Sequence, residues 1–592
     1  MPDQLNKTAS KDDPAAPQAD ATAHPAFDSL DRIAHATVAK ATSGLSPSVL
    51  AEAWMDWASH LAVSPGKQLH LAEQAFRNAQ SLMQAGLQLG PTQDESDGAG
   101  KPDRRFSGEG WQKYPFNVWS KAHQLSWQWW QDAMTGVHGE TPAHEDLMAF
   151  TVGTIIDSLA PSNFPATNPE VIAATISERG QNLVRGAKNL TEDMMQRVGI
   201  AEDGPHPFEV GHNLATSPGK VVFRNDLIEL IQYAPTTEEV RPEPILIVPA
   251  WIMKYYILDL SPQNSFVGFL VAQGFTVFMV SWKNPDAGDR DLSMEDYTQM
   301  GVMAAIDAVQ AITSAPKIHA IGYCLGGTLL SIAAAAMGRD GDDRLATLTL
   351  LAAQVDFTEA GPLRLFINDS EVTLIEDMMA EKGFLSSDQM VGTFALLRAR
   401  DLIWAPAIRD YLLGQRGDAF DLMAWNADAT RMPARMHSEY LRKLFLNNDL
   451  AEGHYRVGDR AIAVSDIRAP IFAVGTEDDH VAPWKSVYKL HLMADVPITF
   501  VLTSGGHNAG IVSEPGHAHR HFRIANTAVE APYLDPDDWQ TRHAATNGSW
   551  WIAFADWLAK RSGQPIAPPR MGAHSGAYKA LCDAPGSYVM QR

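Results

Sequence analysis

The sequence predicts an α/β catalytic half built on a mostly parallel sheet and preceded by a mostly helical N-terminal half. Three observations carry this reading. After about Gly204, short apolar runs alternate with helix-like stretches. Before that point, apolar residues recur at helical spacing. Between a strand-like and a helix-like run lies Gly322-Tyr323-Cys324-Leu325-Gly326-Gly327, the pattern of a sharp strand-to-helix turn. With 592 residues the chain is also long enough for more than one domain.

In chain order, residues 1–25 are rich in Ala, Pro, Asp, Lys and Gln and carry too few large apolar side chains to fold, so a disordered tail is expected there. Leu50, Trp54, Trp57 and Leu61, then Leu71, Phe76 and Leu82, recur at helical spacing, and a polar break follows at 91–102. A second helical region at 111–200 holds Trp111, Trp119, Trp127, Trp129 and Trp130, and the helical domain is expected to span 26–204. Strand candidates follow at 244–251, 276–282, 317–322, 345–353, 470–475 and 498–503, continuous apolar runs of the kind that suit buried parallel strands. The interval 354–469 is too long for one crossover and poor in strand signals, so a cap or lid is expected inside a catalytic domain of 205–592.

Bulk properties exclude several classes. A net charge of −23 argues against nucleic acid as a partner, because phosphate binding needs a basic surface. No apolar run reaches the roughly 18 residues of a membrane-spanning helix, and the N-terminus lacks a signal-peptide layout, so a cytoplasmic location is expected. Only Cys324 and Cys582 occur, which leaves no disulfide framework. There is no zinc spacing, and neither a metal nor a cofactor is expected. His517, His519 and His521 alternate as metal ligands do, but Arg520 and Arg523 beside them would repel a cation.

The turn at Cys324 has the layout of a nucleophile elbow, which makes the catalytic half alpha/beta-hydrolase-like. The nucleophile is a thiol, a group suited to thioester exchange. In that fold the acid and then the histidine follow the nucleophile, each after a late strand. The strand at 470–475 runs into Asp479, taken as the acid, and the strand at 498–503 runs into His507, taken as the base. His480 is a rival base and Asp356 a rival acid, while Glu477 and Asp478 read as solvated loop charges. The oxyanion hole is expected from the backbone N–H of Leu325 and from that of Ile252 or Trp251, since Pro249 has no N–H.

Beyond this constellation, the chain resembles the polyhydroxyalkanoate synthases, most closely the class I, single-subunit type. The carrying segments are 248–260, Ser281-Trp282-Lys283-Asn284-Pro285-Asp286, the Cys324 box, Trp425-Asn426-Ala427-Asp428-Ala429-Thr430, Asp479-His480-Val481-Ala482-Pro483-Trp484, Ser504-Gly505-Gly506-His507 and Gly548-Ser549-Trp550-Trp551, with 161–170 in the helical half. Trp251 is the main departure, bulkier than expected beside the oxyanion loop. The resemblance implies polymerisation of (R)-3-hydroxyacyl-CoA thioesters, short-chain by analogy, with Cys324, Asp479 and His507 matching the family's catalytic residues. Asp479 is also implied to help activate the 3-hydroxyl. A homodimer at the surface of cytoplasmic polyester granules is implied too. A thioesterase or intracellular polyester depolymerase using the same Cys is the enzymatic alternative, and an inactive granule scaffold the non-enzymatic one. A substrate bearing coenzyme A phosphates needs a local basic cluster on so acidic a chain, and Arg520 and Arg523, in a loop after His507, are its candidates.

Overall fold

The computed structural model describes residues 25–42, 45–87, 103–197, 207–417 and 419–592. The expected tail falls outside them except for Pro25, and so does the whole of the expected break at 91–102. The helical half consists of α1 (Pro25–Ala41), α2 (Pro47–Ala62), α3 (Pro65–Gly86), α4 (Phe116–Met134), α5 (Pro142–Ser158), α6 (Pro169–Ser177) and α7 (Gln181–Arg197). Proline at the first turn starts α2, α3, α5 and α6, where its missing N–H costs no helical hydrogen bond. Ala53 and Trp57 of α2, Met134 of α4 and Leu147 and Met148 of α5 form a core of their own. Trp57 Nε1 donates to the Ala133 carbonyl at 2.8 Å, so the indole brings no unsatisfied polar atom into that core.

The catalytic half is one eleven-stranded sheet: β1 (Gly219–Arg224), β2 (Ile228–Tyr233), β3 (Ile245–Val248), β4 (Val277–Trp282), β5 (Ile318–Tyr323), β6 (Leu345–Leu351), β7 (Ile471–Thr476), β8 (Ile498–Thr503), β9 (His521–Thr527), β10 (Thr546–Asn547) and β11 (Cys582–Asp583). Across the sheet they run β10-β9-β8-β7-β6-β5-β3-β4-β2-β1-β11. Strands β3 to β8 pair in parallel, and β3, β4, β5, β7 and β8 are buried at every position, which explains their unbroken apolar sequences. All six strands expected from the sequence are present. The antiparallel additions β1, β2, β9, β10 and β11 were not anticipated, and β9 converts the expected loop at His521 and Arg523 into a strand whose burial alternates.

The segment between β6 and β7 is mostly helical, with α8 (Leu325–Asp340) before it and α9 (Asp369–Lys382) and α10 (Ser387–Leu397) within it. The N-terminal helices pack on this segment. Helix α1 packs on α9, and α7 packs on residues 407–412. Asp157 of α5 accepts from Arg400 at 2.5 Å and pairs with Arg105 at 3.0 Å, and the Arg400 guanidinium lies 5.3 Å from the centre of the Trp127 ring. These contacts fasten the helical half to the cap-like segment.

Between β5 and α8 the chain turns with Cys324 at φ 53° and ψ −126°, a conformation that costs an L-residue on the order of 1–3 kcal/mol. A Cβ on Gly326 would lie 2.2 Å from the Val248 carbonyl oxygen, and one on Gly322 would lie 2.3 Å from Gly327 Cα. Both neighbours are backbone, which cannot swing aside. Gly326→Ala is therefore expected to lower the unfolding temperature by about 2 °C or more. Gly66→Ala, with nothing within 4 Å of the new Cβ, should leave it nearly unchanged. Equal midpoints in a thermal melt of the two variants would contradict the crowding at the turn.

Candidate active site

The sheet brings the expected residues to the C-terminal ends of its central parallel strands, where ligands gather in open α/β sheets. Cys324 follows β5, Asp479 follows β7, His507 follows β8 and Ile252 follows β3. His507 Nδ1 and Asp479 Oδ2 are 2.8 Å apart, with both side chains almost fully buried. Asp479 Oδ1 accepts the backbone N–H groups of Val481 at 2.8 Å and Ala482 at 2.9 Å, and Thr476 Oγ1 donates to Oδ2 at 3.2 Å. A carboxylate so fully supplied with donors presents one fixed oxygen to the imidazole.

The electrostatics follow from this packing. Burial disfavours charge on Asp479, yet the facing His507, its hydrogen bond and the two backbone N–H groups together hold the carboxyl below its usual range. Burial likewise opposes charge on His507, but the Asp479 carboxylate and the Cys324 thiol, through charge and through hydrogen bonds, raise it well above the ordinary histidine value. The pair's stabilising effect is complete above the unfolded Asp value of about 3.9 and below the unfolded His value of about 6.5. It is lost as pH falls through the lowered Asp479 value or rises through the raised His507 value.

The rivals are occupied elsewhere. Asp356 accepts from the Thr358 N–H at 2.8 Å and pairs with Lys489 at 3.6 Å, so its carboxylate serves a turn. His480 faces Arg398 at 3.4 Å, and burial first, then that guanidinium, lower its pKa. Glu477 is an ion-pair acceptor, bound by Arg523 at 2.7 Å and His521 at 3.1 Å. Arg520 donates to the Ser504 carbonyl at 3.3 Å. The pairing with Glu477 offsets the charge of Arg523, and neither arginine lines the cavity described next. Among the described residues no cluster of metal-ligating side chains occurs.

Cys324, Leu325 and Ile252 open into a cavity of about 570 Å³, within the range of sites that enclose small ligands. Its other walls are largely apolar and come mostly from the segment between β6 and β7, including Phe357, Phe366, Ile375, Met378 and Leu396. As the first residue of α8, Leu325 has an N–H with no helical carbonyl to bond. Trp251 does not line this space. Its ring is buried against Tyr297 and Trp282, with centroids 5.2 and 6.2 Å away, so the bulky side chain fills core.

Two holdfasts of the Ile252 loop escaped the sequence reading. Thr430 clasps it from the segment between β6 and β7, its N–H donating to the Ile252 carbonyl at 3.1 Å and its hydroxyl to the Trp251 carbonyl. Lys254, 4% exposed, donates to the Val589 carbonyl at 3.0 Å and to that of Gln591, tying the loop to the C-terminal residues. Tyr323 and Asn508 were missed as well: the tyrosine hydroxyl donates to Asn508 Oδ1 at 2.6 Å, joining the elbow strand to the His507 loop. All three are contacts between distant segments, for which no local pattern exists.

Residues 102–270 match the family model for the Poly-beta-hydroxybutyrate polymerase (PhaC) N-terminus, and residues 25–67 that for the Poly-beta-hydroxybutyrate polymerase N terminal. Residues 243–512 match the alpha/beta hydrolase fold. The chain is 39% identical over 495 residues to a poly(3-hydroxyalkanoate) polymerase of Methylorubrum extorquens, covering 83% of this chain and 81% of that one. It is 37% identical over 511 residues to the poly(3-hydroxyalkanoate) polymerase subunit PhaC of Rhizobium etli, covering 86% and 79%. To the corresponding subunit of Cupriavidus necator it is 34% identical over 495 residues, covering 82% and 83%. With such agreement over most of each chain, running through both the helical half and the alpha/beta-hydrolase sheet, this chain belongs to the poly(3-hydroxyalkanoate) polymerase family.

Proposed function

We propose that this chain joins (R)-3-hydroxyacyl-CoA thioesters into a polyester through an acyl group carried on Cys324, with release of coenzyme A. The observation that carries the reading is the thiol at a strand-to-helix elbow, beside a buried His507–Asp479 pair, in a chain of this family. His507 takes the thiol proton and Cys324 Sγ attacks the thioester carbonyl carbon. The N–H groups of Leu325 and Ile252 hold the resulting oxyanion. Collapse of the tetrahedral adduct expels the CoA sulfur, which leaves with the proton from His507. The 3-hydroxyl of a second unit then gives its proton to His507, attacks the acyl-Cys carbonyl and forms the ester as the thiol is restored. Asp479 stabilises the imidazolium in both halves and supports the hydroxyl's activation through it.

Elongation requires that water be a poorer acceptor than the hydroxyl, and an apolar cavity favours this. On this reading residues 354–469 act as the cap of a catalytic domain at 205–592, and 26–204 is a separate helical domain. Short acyl chains, of the 3-hydroxybutyryl kind, are the proposed substrates. A homodimer at cytoplasmic polyester granules is the proposed setting. Exposed apolar side chains on the helical half, among them Phe76, Met83, Ile155 and Leu159, support contact with an apolar polymer surface. The Arg520 and Arg523 region remains the candidate contact for CoA phosphates, with the Arg523 charge shared with Glu477.

With 3-hydroxybutyryl-CoA the pure protein is expected to release free thiol and insoluble polyester together. Thiol with soluble hydroxyacid alone would instead mark a thioesterase, and neither product a scaffold. Cys324→Ala should lose at least about a thousandfold in turnover, whereas Cys582→Ala, whose side chain is exposed at the sheet edge, should keep nearly all of it.

Asp479→Asn removes the carboxylate that raises the His507 pKa. Turnover should fall by roughly a hundredfold or more, and the alkylation rate of Cys324 should need a higher pH to reach its plateau. An unshifted alkylation profile would remove Asp479 from the role assigned to it.

A further inference from the structure

The cavity that contains Cys324 has two wall residues from outside the catalytic half. Ala39, near the end of α1, and Leu45, just beyond it, share its lining with Ile375 and Met378 of α9. Helix α1 lies along α9, burying Ala36 and Ala39 against Leu374 and Met378, and Ala39 is fully buried. The attachment is specific at both ends of the segment. His35 Nδ1 lies 2.8 Å from Asp377 Oδ2, and Arg32 is 3.9 Å from the same carboxylate. Beyond α1, the Ser46 N–H donates to Glu371 Oε1 at 2.8 Å, and the hydroxyls of Ser46 and Ser370 are hydrogen-bonded at 2.9 Å. The outer face of α1 is exposed at Ile33 and Val38.

We infer that residues 32–42, with Leu45 and Ser46, form a strap that closes the acyl cavity, and that Ala39 and Leu45 set how large a 3-substituent the enzyme accepts. This rests on the reading of Cys324 as the acyl carrier. The argument is one of volume. Atoms added at position 39 have no solvent side to enter and must extend into the cavity or push α1 off α9, whereas shortening Leu45 enlarges the same space. The strap's main packing partner is α9, and it has no comparable contact with β5, β7 or β8, so these changes leave the elbow and the His507–Asp479 pair in place. Each methylene that a pocket excludes or admits changes kcat/KM by about tenfold or more.

The test is the ratio of kcat/KM for 3-hydroxyhexanoyl-CoA to that for 3-hydroxybutyryl-CoA, measured on the full chain. Ala39→Phe is expected to lower the ratio at least about tenfold, and Leu45→Ala to raise it several-fold. Unchanged ratios in both variants, or shifts in the same direction, overturn the inference. A uniform loss on both substrates overturns it as well, because that is the mark of a purely structural contact. Mass analysis of Cys324 after rapid quenching separates the two layers of the argument. No acyl group on Cys324 from either substrate refutes the acyl-carrier reading, while an acylated Cys324 with unaltered ratios refutes the strap alone.

Discussion

The backbone of one residue governs the architecture of the site. Cys324 sits at φ 53° and ψ −126°, and that turn exists only because Gly322 and Gly326 let β5, α8 and the end of β3 meet at distances no Cβ tolerates. Its cost, on the order of 1–3 kcal/mol, is small against the burial on either side, since every residue of β5 and most of α8 are inaccessible to water. Packing holds the strain in place, and the strain holds the buried thiol at the wall of the cavity. The same approach of α8 to β3 brings the Leu325 N–H and the Ile252 loop to one space.

Around this point the site is fixed from several directions. Asp479 is held by two backbone donors and a threonine, and it in turn holds His507. Thr430 fixes the Ile252 loop from the segment between β6 and β7, and Lys254 ties it to the C-terminal residues. Segments far apart in the chain thus converge on one space beside Cys324, and for the proposed acyl transfer this is the geometric condition that makes a bimolecular step nearly unimolecular. The apolar lining of the cavity, with the proposed cap and strap, supplies the complementary condition that the proposed reaction needs, a space that disfavours water.

Much of this was legible because it is local. Glycines around a thiol between a strand and a helix, and an acid and a histidine each just past a late apolar strand, are short-range patterns, and Cys324, Asp479 and His507 could be read from them. Asp479 was preferred there over Asp356 although both follow strands; the structure pairs His507 with Asp479 and gives the Asp356 carboxylate to Thr358 and Lys489. Strand β9 read as a loop because its residues alternate between a buried and a polar, open face, and His521 and Arg523 lie on the face where Glu477 binds them. Lys254, Thr430, Ala39 and Leu45 were silent for a different reason. Each acts through a partner far away in sequence, and no periodicity or motif encodes that distance.

The central claim is that the thiol at the elbow carries the growing acyl group. Its most direct measurement is a rapid-quench digest, after mixing with 3-hydroxybutyryl-CoA, in which the peptide containing Cys324 is weighed intact. The account requires a hydroxyacyl mass on Cys324 within the first turnover, absent from the Cys582 peptide and lengthening as the reaction proceeds. Polymer appearing while Cys324 stays unmodified throughout would contradict it.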